Sequence, residues 1–235
     1  MKIKILTIIF IFCATILFAQ TIAPKKCNTC GKPLSHCQYK GKHTKTNLGY
    51  ENEHEWVDLG LSVKWATCNI GASSPEEYGD YYAWGVSLPG EVYTYDNHPL
   101  KDIEKNYTLL SIYDTATNLW VANWRMPTVS EFEELVKKCK WERETINGIN
   151  GYRVTGPNGE SIFFPAAGSN APIYNQKQVD GSYWSSSIKK PGVSEHSGDI
   201  CHNKYLHFRK EKRPEVSGCP PQVAMSIRPV LNKNK

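Results

Sequence analysis

Between Pro127 and Pro165 the chain carries one unmistakable helix followed by three strand-length segments, and this order restricts the fold more than any other feature. In PTVSEFEELVKKCKW, Thr128 is placed to cap a helix and Glu131 stands three residues on, the spacing of a capping box. Phe132, Leu135, Val136 and Cys139 then fall at i, i+3, i+4 and i+7, a single apolar stripe. Lys137, Lys138 and Lys140 sit at the C-terminal end, where cations suit the helix dipole. WERETI, GYRVTG and ESIFFP follow, joined by Asn147-Gly148 and by Pro157-Asn158-Gly159, which are strong turn signals. A helix that gives way to a meander of short strands predicts an α+β domain rather than alternating βαβ units.

The rest of the chain agrees with that class. Leu61, Val63 and Trp65 alternate with Ser62 and Lys64, the period-2 mark of a half-buried strand, and Trp56, Val57 and Leu59 open a strand before it. Tyr81 to Trp84 is read as an aromatic strand, and 86–108 as a long loop. A shorter helix is expected in SIYDTATNLW with Asp114 as its cap. Asp114-Thr115-Ala116 also matches an O-glycosylation pattern of exported proteins, with the helix cap as the competing reading. GSYWSSS, KYLHFRK and AMSIRPVL complete the strands.

The first twenty residues have Lys2 and Lys4 ahead of an apolar run from Ile5 to Phe18, then small residues near Ala19, the layout of a secretory signal peptide. The run is short for a membrane anchor. Bulky Phe10, Ile11 and Phe12 before Cys13 argue against lipidation there. Loss of Lys2 and Lys4 takes the net charge from +5 to about +3, too mild and too evenly spread for a nucleic-acid surface. No second long apolar stretch follows, so no transmembrane segment is expected after cleavage. The expected organisation is a signal peptide over 1–20, a cysteine-rich segment over 21–43, a polar linker over 44–54 and one main domain over 55–232. The expected location is the periplasm, the cell surface or the medium.

Of the eight cysteines, Cys13 belongs to the leader, and seven remain. Cys27-x2-Cys30-x6-Cys37-x5-His43 supplies three thiolates and an imidazole, a donor set suited to structural tetrahedral zinc. Gly31 permits the tight turn of a zinc knuckle, and His36 adjoins Cys37 too closely to chelate with it. Disulfide or free thiols, and a redox CxxC, are the competing readings; the last lacks a thioredoxin-like βαβ frame. Four protein ligands would close the zinc site, so catalysis does not follow from it. Cys68, Cys139, Cys201 and Cys219 are left for the main domain, where an exported protein tends to form disulfides. Cys201 with Cys219 is one candidate pair, Cys139 a candidate core residue, and the connectivity stays open.

EWVDLGLSVKWATCNIGASSPEEYGDYYAWG, WRMPTVSEFEELV, GSYWSSS and MSIRPV, in that order, resemble the Fibrobacter succinogenes major paralogous domain, a family abundant in exported proteins of Bacteroidetes-type bacteria. The resemblance spans about residues 55 to 232. It implies a C-type lectin-like fold, related to the formylglycine-generating enzymes, with two helices, antiparallel sheet and adjacent chain ends. Similar prefixes in exported relatives favour His43 as the fourth zinc ligand. In that fold the long loops form the ligand face, which maps to about 166–179 and 188–220 and holds Tyr174, Asn175, Gln176, His196 and Tyr205 as candidate contacts.

The relatives' chemistry is harder to find. Formylglycine-generating enzymes need a closely spaced cysteine pair near the C-terminus, whereas Cys201 and Cys219 are far apart. Lectin calcium sites use Glu-Pro-Asn or Gln-Pro-Asp and Trp-Asn-Asp; none occurs, and residues 166–179 contain no carboxylate. His196, Asp199, His202 and His207 lack tight metal-ligand spacing, and Ser185-Ser186-Ser187 lacks a nucleophile elbow. The expectation is an exported, non-enzymatic binding or adhesion module for a glycan or protein. A formylglycine-generating-type oxidase and a structural cell-surface component are the alternatives.

Overall fold

The computed structural model describes residues 47–100, 108–170, 177–188 and 203–233. The leader, the zinc-ligand candidates Cys27, Cys30, Cys37 and His43, the loop candidates Tyr174, Asn175, Gln176 and His196, and Cys201 lie outside the described residues.

Eleven described strands form three antiparallel sheets, accompanied by two described α-helices, an α+β arrangement rich in sheet. β1 (Leu48–Glu51), β2 (His54–Val57), β3 (Val63–Ala66), β11 (Val230–Asn232) and β4 (Trp124–Arg125) lie side by side in that order. β5 (Lys140–Ile146), β6 (Ile149–Thr155) and β7 (Ser161–Pro165) make the second sheet. β8 (Asp180–Trp184), β9 (Asn203–Arg209) and β10 (Lys212–Cys219) make the third. α1 spans Thr115–Trp120 and α2 spans Val129–Lys138. Among the described residues no helix is long and apolar enough to cross a membrane.

The caps anticipated for both helices are present. Asp114 accepts from the Thr117 N–H at the start of α1. Thr128 Oγ1 accepts from the Glu131 N–H while the Glu131 carboxylate accepts from the Thr128 N–H at 2.7 Å, closing the capping box of α2. Phe132 and Leu135 are fully buried from the predicted stripe, with Val136 and Cys139 packed at its margin. Asn147 and Gly148 both have positive φ, as a two-residue type I′ hairpin turn requires, and they connect Ile146 to its partner Ile149.

Three segments differ from expectation. Leu48–Glu51, inside the stretch read as a linker, forms β1, and Asn52 and Glu53 turn it into β2 with positive φ at both positions. Its side chains are polar or half-exposed, so composition resembled a linker while edge pairing made a strand. Residues 81–84 contribute only a single bridge, Tyr82 to Met225, because their aromatic rings enter the core from an irregular backbone. β10 lies in a stretch read as loop; Pro214 sits where its register to β9 shifts, and an edge bulge is where a strand tolerates proline.

The strand period divides the interior into two clusters. Val63 and Trp65 of β3, Tyr183 of β8 and Val230 of β11 face one, with Phe132, Phe164 and Phe208. Ala66, Trp184 and Leu231, each the next residue along, face the other, with Trp84, Trp120 and Trp124. The tryptophans therefore serve the core rather than a binding surface. Five are buried, and Trp56 and Trp141 pack against the clusters. Three of the buried indole N–H groups find a carbonyl acceptor, whereas that of Trp65 has no partner among the described residues. That of Trp184 donates to the Tyr82 carbonyl, that of Trp84 to Ser185, and that of Trp124 to Glu51.

Candidate functional site

Alternation along β9 builds the site. Leu206 and Phe208 turn to the core, so Tyr205, His207 and Arg209 must share the other face. β8 adds its own alternate residues in register: Asp180 stands opposite Arg209, Ser182 opposite His207 and Trp184 opposite Tyr205. Glycine is required at position 181, opposite Phe208, because a Cβ there would overlap the Phe208 ring. On the far strand, Glu215 and Ser217 stand opposite His207 and Tyr205.

A cleft of ≈ 520 Å³ lies over this face, within the ordinary size range of small-ligand sites. Gly168 and Ser169 line it after β7, Gly218 and Cys219 from the end of β10, and Pro220, Gln222, Val223 and Met225 from the segment that follows. His207 Nε2 is 3.3 Å from Asp180 Oδ2, and Arg209 approaches His207 Nδ1 at 3.4 Å. Each imidazole nitrogen of His207 thus has a polar neighbour, the Asp180 carboxylate at Nε2 and the Arg209 guanidinium at Nδ1. The tilted Tyr205 ring lies with its centroid 5.7 Å from that of His207. Burial pushes the Tyr205 phenol above its ordinary pKa, keeping it protonated at neutral pH. Gln222 Oε1, also in the cleft wall, is a buried acceptor with no hydrogen-bond partner among the described residues.

Tyr205, one of the candidate ligand contacts, stands on β9 and lines the cleft. Cys219, the described member of the candidate Cys201–Cys219 pair, closes β10 and also lines the cleft. Asp180, Ser182, Arg209 and Gln222 were not among the expected site residues. The i, i+2, i+4 spacing in KYLHFRK carried the signal for Tyr205, His207 and Arg209; the strand pairing that adds Asp180 is a tertiary fact.

Several sequence candidates have structural duties instead. Thr115 is fully buried and its hydroxyl donates to the Val86 carbonyl, so the Asp114-Thr115-Ala116 stretch is a helix start closed to modification. Ser185 Oγ donates to the Lys204 carbonyl, Ser186 Oγ to the Pro127 carbonyl, and Ser187 Oγ accepts from the Val129 N–H. These buried serines tie β8 to β9 and to the start of α2. Cys68 and Cys139 are free thiols whose pKa values burial raises, that of Cys139 to about 11. Among the described residues no three His, Cys, Asp or Glu side chains are grouped to hold a metal ion. No family model matches the chain, and neither does any curated protein or solved structure.

Proposed function

We propose that this is an exported binding module, built on a C-type lectin-like fold, that takes a glycan in the cleft over β8, β9 and β10. The carrying observation is the row Asp180, His207, Arg209 beside Tyr205, with the unpartnered Gln222 Oε1 in the same wall. A sugar presents hydroxyls that donate and accept at once and an apolar ring face. Carboxylate and amide oxygens, a guanidinium and an aromatic ring match those groups.

The fold assignment is supported by two capped helices followed by antiparallel sheet, and by β11 returning between β3 and β4 in the sheet that β1 begins. Export is supported by the basic, apolar and small-residue layout of residues 1–20. The prefix belongs to the same proposal. Three thiolates of Cys27, Cys30 and Cys37 with the His43 imidazole are a soft, tetrahedral donor set whose metal would stabilise a segment too short to fold unaided.

An array of glycans and proteins probed with the intact chain tests the reading. Glycan binding is expected, weakened at least tenfold by Arg209→Ala and by Gln222→Ala with unchanged melting temperature. Binding that survives both substitutions, or that disappears only when 21–43 is deleted, would move the ligand face away from this cleft. Metal analysis of the intact chain should return one zinc per chain, lost in Cys30→Ser; a metal-free wild type would refute the knuckle.

A further inference from the structure

A second concavity, of ≈ 340 Å³, opens where the C-terminal turn of α2 meets β5, β6 and the start of β10. Its lining is unlike that of the first cleft. Trp141, Tyr152, Val136 and Pro214 provide apolar and aromatic surface, while Lys137, Lys212 and Arg213 provide three cations. The aromatic part is rigid: Trp141 packs at 5.9 Å centroid distance from both Tyr152 and Phe164, and its indole N–H donates to the Leu135 carbonyl. The register shift in β10 falls across Arg213 and Pro214, the position at which a bulge re-aims side chains out of the strand's regular alternation.

Among the described residues, Lys137, Lys212 and Arg213 form no ion pair; Glu134 pairs with Lys138 and Glu142 with Lys140, while Glu211 and Glu215 flank the two β10 cations in sequence without lining the concavity. No carboxylate lines the concavity. Cys139, which also lines the concavity, has its thiol pushed up to about 11 by burial and so adds no negative charge at neutral pH. Three cationic residues lining a concavity with an aromatic floor offer attraction for an anion beside an apolar surface that suits a flat apolar body.

We propose that this concavity is a second binding site, separate from the glycan cleft, for a small aromatic acid. The planar ring would lie against Trp141, Tyr152 and Pro214, and the carboxylate or sulfonate would face Lys137, Lys212 and Arg213. The volume accepts a one- or two-ring body, being near the lower end of the roughly 300–1,000 Å³ usual for ligand cavities. Neither component suffices alone: exposed cations hold small inorganic anions weakly in salt, and the apolar floor by itself does not discriminate.

Calorimetric titration of the intact chain with 2-naphthalenesulfonate, beside neutral 2-naphthalenemethanol, tests this. The expected result is one saturable site for the sulfonate, with the alcohol at least tenfold weaker. In Lys212→Glu/Arg213→Glu, two exposed positions whose reversal leaves the aromatic packing intact, sulfonate affinity should fall at least tenfold while the melting temperature holds. Equal affinity for the alcohol, undiminished sulfonate binding in the double variant, or no heat of binding by the sulfonate at millimolar concentration would each overturn the proposal. Glycan binding in the first cleft should be unaltered by the double variant, so the two sites fail or stand independently.

Discussion

Arg228 Nε donates to Asn69 Oδ1 at 2.7 Å, with both residues wholly buried. Arg228 also donates to the Thr67 carbonyl at 2.8 Å and to the Ala66 carbonyl at 3.2 Å, and its guanidinium lies 4.7 Å from the centre of the Phe164 ring. Asn69 passes the link on through its amide nitrogen to the Tyr78 carbonyl at 2.9 Å. No ion pair accompanies this buried cation among the described residues, and burial lowers the guanidinium pKa from its usual value. Backbone carbonyls, an amide oxygen and an aromatic face take the place of a carboxylate. Arg228→Met should therefore destabilise the domain by about 3 kcal/mol, since three buried acceptors lose their donor. Asn69→Ala should cost about 2 kcal/mol, and the double variant less than the sum. Denaturant unfolding measures all three; strict additivity would mean that the two side chains act independently.

The α2 start is a second test of local design. Thr128→Ala removes the acceptor for the Glu131 N–H and should cost about 1 kcal/mol. Glu131→Gln keeps a side chain able to reach the Thr128 N–H but weakens the two-point contact with Arg125, whose NH2 and NH1 donate at 2.6 and 2.9 Å. A loss of about 1 kcal/mol is expected there too. Thermal melts separate the contributions, because Arg125→Lys should reproduce the second loss and leave the first untouched.

Gly181 offers a steric prediction. The Phe208 ring occupies the space that a side chain at position 181 would need, across the β8–β9 pair. Gly181→Ala should destabilise by about 2–3 kcal/mol through overpacking. Phe208→Leu in the same chain should recover part of that loss, and a melting temperature that drops further in the double variant would contradict the packing argument.

His98 predicts the acid limb of stability. Its Nδ1 accepts from the Leu100 N–H at 3.1 Å, it is 1% exposed, and burial lowers its pKa to about 4 from an ordinary 6.5. The folded state thus favours the neutral ring. That contribution is fully present above about pH 6.5 and is lost as the pH falls towards 4, where the unfolded chain binds a proton that the folded chain resists. His98→Asn, whose side-chain oxygen can replace Nδ1 as acceptor, should flatten the pH dependence in that window while changing stability little at pH 8. Chemical denaturation at pH 8, 6 and 4.5 measures it; an unchanged slope between 6 and 4.5 would assign the acid loss to other groups.

Local rules are legible in this chain wherever the determining residues are neighbours. The capping box at Thr128 and Glu131, the cap at Asp114 and the Asn147-Gly148 turn all depend on contacts within a few residues. β1 and β10 were harder because edge strands owe their conformation to a partner: the short, largely exposed Leu48–Glu51 and the proline-containing Lys212–Cys219 satisfy no strong internal pattern. The serine run after Trp184 carried no mark of its duty, since the carbonyls of Lys204 and Pro127 that it serves lie 19 and 59 residues away.

The sequence by itself determined the α+β order of the main domain, the two helix starts, and the shared face of Tyr205, His207 and Arg209, because 3.6- and 2-residue periods and cap chemistry act locally. Only the tertiary structure decided what that face meets. Strand pairing set Asp180 against Arg209, the return of the chain after β10 brought Gln222 to the same cleft, and the start of β10 joined Lys212 and Arg213 to the aromatic floor of Trp141 and Tyr152, far earlier in the chain. Such encounters depend on register and on the closure of long loops, which no local pattern encodes.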